Sequence, residues 1–133
     1  MKQVYVDSSF WYAFFNSRDS RHEDAMAVMS SYEGAFCLST FVLAETASLL
    51  TKRADKPTAL EFGHAVRDNL LCEIVHPSAE ILEEAWALFA SRPEHDFDLV
   101  DAISFTIMHE LEVSRAFSLD KHFLEMGFEV LPG

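Results

Sequence analysis

The chain has 133 residues, of which 50% are apolar, and we expect one domain over residues 1–133 with a buried core. Ten Lys and Arg against 22 Asp and Glu give a formal net charge of −12, which disfavours nucleic acid unless cations or a local basic patch intervene. There is no run of about 18 uninterrupted apolar residues and no signal-peptide pattern, so we expect a cytoplasmic protein that does not span a membrane. Cys37 and Cys72 lack metal-ligand spacing and are expected to be free thiols.

Short apolar segments alternate along the chain with stretches of helical periodicity. Strands are predicted over residues 4–6, 35–38, 73–75, 115–118 and 129–131. Helices are predicted over residues 8–16, 19–31, 40–53, 57–70, 99–112 and 121–126, with one more from a cap at Ser78 to just before Pro93. This alternation predicts an α/β fold, a three-layer α/β/α sandwich around a parallel sheet.

Acidic residues recur where the predicted strands end. Asp7 and Asp120 each follow a strand, and Glu45 lies in the early turns of the helix after residues 35–38. Asp101 lies in the first turn of the helix that leads into the strand at 115–118, so that helix begins at the same edge of the sheet. We therefore expect these four carboxylates to converge where parallel sheets bind ligands.

Converging carboxylates raise one another's pKa and destabilise the fold unless a cation compensates. Hard divalent ions such as Mg²⁺ and Mn²⁺ prefer oxygen ligands, and the lack of a Cys/His cluster argues against zinc. The pattern therefore predicts a carboxylate-bound divalent metal, a type of site that can support phosphodiester hydrolysis.

Each acid taken singly also has a simpler interpretation. Asp7 or Asp120 could cap a helix, and in "DLVD" Asp98 could be the N-cap with Asp101 as its acidic N3 residue. Glu45 is harder to explain in this way. Its neighbours at i−4, i−3 and i+4 are apolar, so it projects from a largely apolar helix face.

Four segments, taken in order, resemble one family across essentially the whole chain. They are "VYVDSSFWYAFF", "LSTFVLAETASLL", "DFDLVDAISFTIM" and "RAFSLDKHFLEMGFEVL". The sequence is similar to PIN domains and, within them, to the VapC-type toxins of bacterial and archaeal toxin–antitoxin pairs. The resemblance implies a parallel five-stranded sheet and an endoribonuclease dependent on Mg²⁺ or Mn²⁺, whose partners are RNA, a cognate antitoxin and a second copy in a homodimer.

The same resemblance assigns residues to the site. The family's acidic quartet, its catalytic and metal-binding set, matches Asp7, Glu45, Asp101 and Asp120. Small hydroxyl residues that flank such acids match Ser8 or Ser9 and Ser118, which would support the carboxylates by hydrogen bonds or cap helices instead. We expect the serines after Asp7, rather than Asp7 itself, to cap the first helix.

The sequence departs from the family pattern at Asp98, where a serine or another small residue is usual, next to Asp96 at a matching acidic position. Asp98 is expected to cap a helix, with a metal-ligand or water-orienting role as the alternative.

Basic residues near the expected edge are few, and none is assigned to RNA. They are Arg18, Lys52, Arg53, Lys121 and His122.

Aromatic residues are numerous for a chain of this size. The run "FWYAFF" and the helix with Trp86 and Phe89 either pack in the core or present apolar surface to another protein. A catalytically idle PIN-like interaction module is the alternative function.

Overall fold

The computed structural model describes residues 2–133, and in this range five strands alternate with seven helices. The strands are β1 (Gln3–Val6), β2 (Ala35–Ser39), β3 (Cys72–Val75), β4 (Arg115–Phe117) and β5 (Glu129–Leu131). The helices are α1 (Ser8–Phe15), α2 (His22–Ser30), α3 (Thr40–Arg53), α4 (Lys56–Asp68), α5 (Ala79–Ser91), α6 (Leu99–Glu110) and α7 (His122–Glu125).

Every predicted strand and helix is present, and the largest shift in a boundary is at the start of α2. This helix begins at His22 instead of residue 19. The Asp19 carboxylate accepts a hydrogen bond from the backbone N–H of Arg21 at 3.0 Å, and the Asp19 carbonyl accepts one from His22 at 3.1 Å. Such local bonds hold residues 19–21 in a turn and so delay the helix.

The strands form one sheet in the order β3-β2-β1-β4-β5, and each neighbouring pair is parallel. Helices α1 to α4 pack on one another, and α5 packs on α6, as expected for helix layers on the two faces of the sheet. The predicted three-layer sandwich with a parallel five-stranded sheet is therefore confirmed.

Strand β1 lies at the centre of the sheet and is covered on both faces. Val4, Tyr5 and Val6 are completely buried, as in other parallel sheets sandwiched between helices. The chain leaves β1 towards β2 but leaves β4 towards β5, so the connections diverge between these two neighbouring strands. Sheets of this kind form a crevice at such a point, at the carboxyl ends of the strands.

Side-chain caps fix where several helices begin. Ser39 accepts the backbone N–H of Val42 at the start of α3, and Ser78 accepts that of Ile81 at the start of α5. The cap predicted at Ser78 is therefore confirmed. Because Ser39 is both the last residue of β2 and the cap of α3, the early turns of α3 lie directly above the end of the strand.

The aromatic run in α1 belongs mainly to the core. Phe10 and Trp11 are buried, which contradicts the alternative that this run is a free apolar surface. The other aromatic helix differs, since Trp86 on α5 is 55% exposed.

Cys37 and Cys72 are free thiols, as expected, and burial raises the pKa of Cys37 to about 12. Among the helices described between residues 2 and 133, none combines the length and apolar character needed to cross a membrane.

One buried hydrogen bond ties the central strand to α6. The hydroxyl groups of Tyr5 and Ser104 lie 2.7 Å apart, and both residues are completely buried. Tyr5 precedes Asp7 by two residues and Ser104 follows Asp101 by three, so this bond helps to fix the separation of those two acids.

We predict that Tyr5→Phe lowers the free energy of unfolding by about 1–3 kcal/mol, because it leaves the Ser104 hydroxyl buried without its partner. The double variant Tyr5→Phe/Ser104→Ala should recover most of that loss, since both polar groups are then gone. Urea unfolding of the single and double variants measures the coupling. Additive losses in the double variant would contradict the prediction.

Candidate active site

Asp7 follows β1 directly, and its side chain is almost completely buried at 2% exposure. Its Oδ2 atom accepts hydrogen bonds from the hydroxyls of Ser9, at 2.7 Å, and Ser118, at 3.0 Å. The backbone of Asp7 occupies the N-cap position of α1, but its side chain makes no capping hydrogen bond. The carboxylate is thus fixed by residues after β1 and after β4 and not by the helix that it precedes.

The serines after Asp7 do not cap α1, so that expectation was wrong. Ser8 donates its hydroxyl proton to Oε1 of Glu45 at 2.5 Å, and Ser9 donates to Asp7. The Ser9 hydroxyl also accepts the backbone N–H of Leu119 at 3.0 Å. Ser8 and Ser9 are the first two residues of α1 and so lie inside the helix, whereas a cap has to be the residue just before it.

Asp98 and Asp101 form a reciprocal capping box at the start of α6. Oδ1 of Asp98 accepts the backbone N–H of Asp101 at 2.9 Å, and Oδ2 of Asp101 accepts that of Asp98 at 3.1 Å. The expected capping role of Asp98 is confirmed. Asp101 caps as well, yet its side chain is only 12% exposed. Its Oδ2 atom lies 3.5 Å from Nδ1 of His122, which follows β4.

The turn after β4 positions Asp120 and His122. The Ser118 hydroxyl accepts the backbone N–H of Asp120 at 3.2 Å, and Oδ1 of Asp120 accepts that of His122 at 2.9 Å. The His122 ring then lies between carboxylates. Its Nδ1 atom is 3.5 Å from oxygens of both Asp101 and Asp120, and its Nε2 atom is 2.9 Å from Oδ1 of Asp96.

These residues surround one open cavity of about 440 Å³. Glu45 lines it from α3, together with Asp101, Asp120 and His122. Asp7 is linked to the cavity wall through Ser9. The structure thus brings the acids after β1, on α3, on α6 and after β4 to one place, as the parallel topology requires.

The basic residues noted in the sequence are distributed unevenly around this cavity. Arg53 lines it, with its guanidinium carbon 5.8 Å from the centre of the Tyr12 ring. Lys121 lies 3.7 Å from Asp96, whereas Lys52 and Arg18 line other depressions.

The family model for the PIN domain matches residues 4–129. The chain belongs to the PIN-domain family. This PIN domain is 33% identical over 130 residues to the 23S rRNA-specific endonuclease VapC20 of Mycobacterium tuberculosis, an alignment that covers 97% of this chain and 98% of that relative. It is also 27% identical over 123 residues to a VapC ribonuclease of Archaeoglobus fulgidus, covering 89% and 77% of the two chains.

Solved structures agree with this assignment. The crystal structure of M. tuberculosis VapC20, described as a sarcin–ricin loop cleaving toxin, matches with a TM-score of 0.90 and 30% identity, over 94% of this chain and 95% of that one. A toxin–antitoxin complex from Klebsiella pneumoniae has the same fold, with a TM-score of 0.68, 16% identity and coverage of 96% and 95%. The PIN domain described here is thus a VapC-type endoribonuclease, as its sequence predicted.

Burial and mutual repulsion perturb the acids of this PIN domain. Burial, followed by the charge of Asp120, raises the pKa of Asp7 well above its ordinary value. Burial and the charges of Asp98 and Asp120 raise the pKa of Asp101 to about 7. Burial lowers the pKa of His122, but the hydrogen bond with Asp96 and the nearby carboxylates outweigh it, and the net shift is upward.

The donor set suits a divalent cation. Oxygens of Asp101 and Asp120 and a nitrogen of His122 lie within 4.8 Å of one another. Nδ1 of His122 is buried and has no hydrogen-bond partner among residues 2–133. Carboxylates held at close range against their own repulsion, beside an unsatisfied nitrogen, fit a site that a cation completes.

His122 is the residue whose place in the site the sequence did not indicate. In the sequence it is only one of the basic residues near the expected edge of the sheet. Its position two residues after Asp120 is not a helical spacing that would place both side chains together, and only the turn after β4 turns both towards the cavity.

We predict that, without divalent metal, the chain loses stability as pH rises from about 4 towards 7. The folded chain holds protons on Asp7 and Asp101 more tightly than the unfolded chain, whose carboxyl pKa is near 3.8, so its free energy of unfolding falls through this range. The Tm of the wild type in chelator should therefore be lower at about pH 8 than at about pH 5.

Asp7→Asn should flatten this dependence and raise the Tm at about pH 8 by roughly 3–6 °C for each kcal/mol of repulsion removed. Glu61→Gln, an exposed change on α4, is the matched control and should follow the wild type. Equal pH profiles for Asp7→Asn and the control would exclude the proposed repulsion.

Proposed function

We propose that this chain hydrolyses RNA phosphodiesters in the cavity at the carboxyl ends of β1 and β4, with Mg²⁺ or Mn²⁺ held by Asp7, Glu45, Asp101 and Asp120. The observation that supports this most directly is the convergence of these acids from four separate segments. Two of them, Asp7 and Asp101, have raised pKa values, which favours cation binding because a cation relieves the repulsion.

Asp7 is the anchor of the proposed site. Two serine hydroxyls fix its Oδ2 atom, and its burial leaves it little freedom to move. Ser8 fixes Glu45 in a similar way. Hydrogen bonds of this kind hold carboxylates in place before a cation binds, so the side chains lose little conformational freedom on binding.

A bound divalent ion supplies stabilisation of the negative charge that develops on the phosphoryl and leaving oxygens. The chain itself supplies positioning and proton transfer. A carboxylate of the site that is not bound to the ion would take the proton of the attacking water.

RNA has to reach this acidic cavity past the negative surface of the protein. Arg53 and Tyr12 are at the cavity edge, and we assign them to the substrate. A guanidinium group can pair with a phosphate, and an aromatic ring can stack on an unpaired base.

The names of the relatives point to one class of substrate. The M. tuberculosis relative is named for specificity towards 23S rRNA, and its structure for cleavage of the sarcin–ricin loop. We infer that this chain also cleaves a structured loop of ribosomal RNA. Loops expose unstacked bases, which single-strand readers recognise.

Two surfaces support the proposed partners. The groove between α3 and α4, about 410 Å³, has an apolar floor and a rim with Lys52, Lys56 and Arg67, which suits an acidic amphipathic segment of an antitoxin. On α5, Trp86 is exposed beside Phe89, with ring centres 5.6 Å apart, which suits contact with a second copy of the chain.

We predict that wild type, freed from its antitoxin, cleaves RNA only with Mg²⁺ or Mn²⁺ present, and that Asp7→Asn lowers the cleavage rate by about 100-fold or more. The metal should also raise the Tm of the wild type above about pH 7, but not that of Asp7→Asn. Glu61→Gln should match the wild type in both assays. Cleavage by Asp7→Asn at the wild-type rate would show that the activity does not depend on this site. Failure of the wild type to bind metal or to cleave RNA would favour a catalytically idle interaction module.

We predict a second, independent result on the substrate. Incubation of ribosomes with the wild type should give a single main cut in 23S rRNA, mapped by primer extension, within a loop. A stem-loop carrying that sequence should be cut at least about tenfold faster than the same bases in an unstructured strand. Equal rates on the two oligonucleotides would overturn the loop specificity and leave the nuclease assignment intact.

A further inference from the structure

We propose that His122 is itself a metal ligand, through Nδ1, and that Asp96 orients it, so that the site holds Mn²⁺ in preference to Mg²⁺. This inference rests on the proposed function, because it concerns the same cation. The acids named above would make the site an all-oxygen one; His122 adds a nitrogen.

The position of Nδ1 is the first argument. It lies 3.5 Å from an oxygen of Asp101 and 3.5 Å from an oxygen of Asp120. Adjacent ligand atoms around a six-coordinate ion with bonds of about 2.1 Å are about 3 Å apart. A small movement of the three side chains towards a cation would therefore bring their ligand atoms to the usual separation.

The contact with Asp96 is the second argument. An ionised carboxylate accepts hydrogen bonds but does not donate them, so at 2.9 Å the Nε2–H group of His122 donates to Oδ1 of Asp96. In the neutral form that a metal-bound imidazole takes, the lone pair is then on Nδ1, which faces the acids. A carboxylate on the remote nitrogen is the usual partner of a metal-bound histidine, where it fixes the tautomer and the ring.

The environment of Nδ1 is the third argument. The atom is buried and has no hydrogen-bond partner within the described residues. A nitrogen lone pair facing two carboxylates is repelled by both. A cation placed between the three atoms turns each of these repulsions into a bond.

The identity of the metal follows from the nitrogen. Imidazole is a good ligand for the transition metals, whereas Mg²⁺ prefers oxygen and keeps its waters. Replacement of His122 by a residue without a ring nitrogen should therefore weaken the binding of Mn²⁺ more than the binding of Mg²⁺.

His122 could also ligate a metal from its outer side. Atoms of Asp96, His122 and Glu125 form a second group at similar range, but both carboxylates there are exposed. We place the cation on the inner side, where Asp101 and Asp120 are half-buried and the water that competes for the ion is partly excluded.

The test is pulsed electron paramagnetic resonance of the full chain loaded with Mn²⁺ alone. In this measurement a directly bound imidazole gives ¹⁴N modulation of the Mn²⁺ signal, and it needs no RNA cleavage. The wild type should show the modulation, and His122→Gln should lose it. Calorimetric titration should show the Mn²⁺ affinity of His122→Gln reduced by about tenfold or more and its Mg²⁺ affinity by less than about threefold.

Three variants locate the effect. Asp96→Asn should keep the ¹⁴N modulation but bind Mn²⁺ about tenfold more weakly, because only the orientation of the ring is lost. Glu125→Gln should behave as the wild type if the ion is on the inner side. His64→Gln, an exposed histidine on α4, is the matched control for loss of an imidazole and should also leave the modulation unchanged.

The outcomes separate this inference from the proposed function. Mn²⁺ that binds tightly to the wild type without ¹⁴N modulation would overturn the role of His122, show the ring to be a charged partner of the acids, and leave the metal-dependent nuclease standing. Loss of the modulation in Glu125→Gln would move the ion to the outer side and overturn the inner site. A wild type that binds no Mn²⁺ would overturn both proposals.

Discussion

The burial of the Asp7 carboxylate at the end of the central strand is the constraint on which the rest of the site depends. A buried charge in that position destabilises the fold unless it is hydrogen-bonded and compensated by an opposite charge. The hydroxyls of Ser9 and Ser118 supply the hydrogen bonds, and they come from the two segments that follow β1 and β4. The arrangement therefore couples the geometry of the acid to the pairing of these two strands.

The same hydroxyls continue the network outwards. Ser9 accepts the backbone of Leu119, and Ser118 accepts that of Asp120. The turn after β4 is thus built on the residues that hold Asp7, and this turn presents both Asp120 and His122 to the cavity. A substitution at Asp7 would therefore alter the position of Asp120, because both residues share these hydroxyl and backbone contacts.

Negative charge predominates both in the site and in the protein as a whole. A chain with a net charge of −12 repels RNA. It concentrates several acids around one cavity, where burial and then their mutual repulsion raise the pKa of Asp7 and Asp101. The proposed cation would relieve this repulsion and reduce the negative potential of the cavity.

Local signals in the sequence determined the elements and most of the acidic set. Apolar periodicity located the strands and helices, with boundaries that differ by no more than three residues, and the parallel order predicted where Asp7, Glu45, Asp101 and Asp120 would meet. Capping also follows from nearest neighbours, which is why Ser78 and Asp98 were predicted correctly.

Tertiary structure alone decided which partner each polar side chain takes. Serine is a common helix cap, but Ser8 and Ser9 lie inside the first turn of α1, and their hydroxyls donate to the carboxylates of Glu45 on α3 and Asp7 after β1. His122 has no motif that links it to Asp96, which is 26 residues earlier, or to Asp101. Those contacts arise from the way the loop before α6 and the turn after β4 meet at the edge of the sheet, and no local pattern in the sequence encodes that meeting.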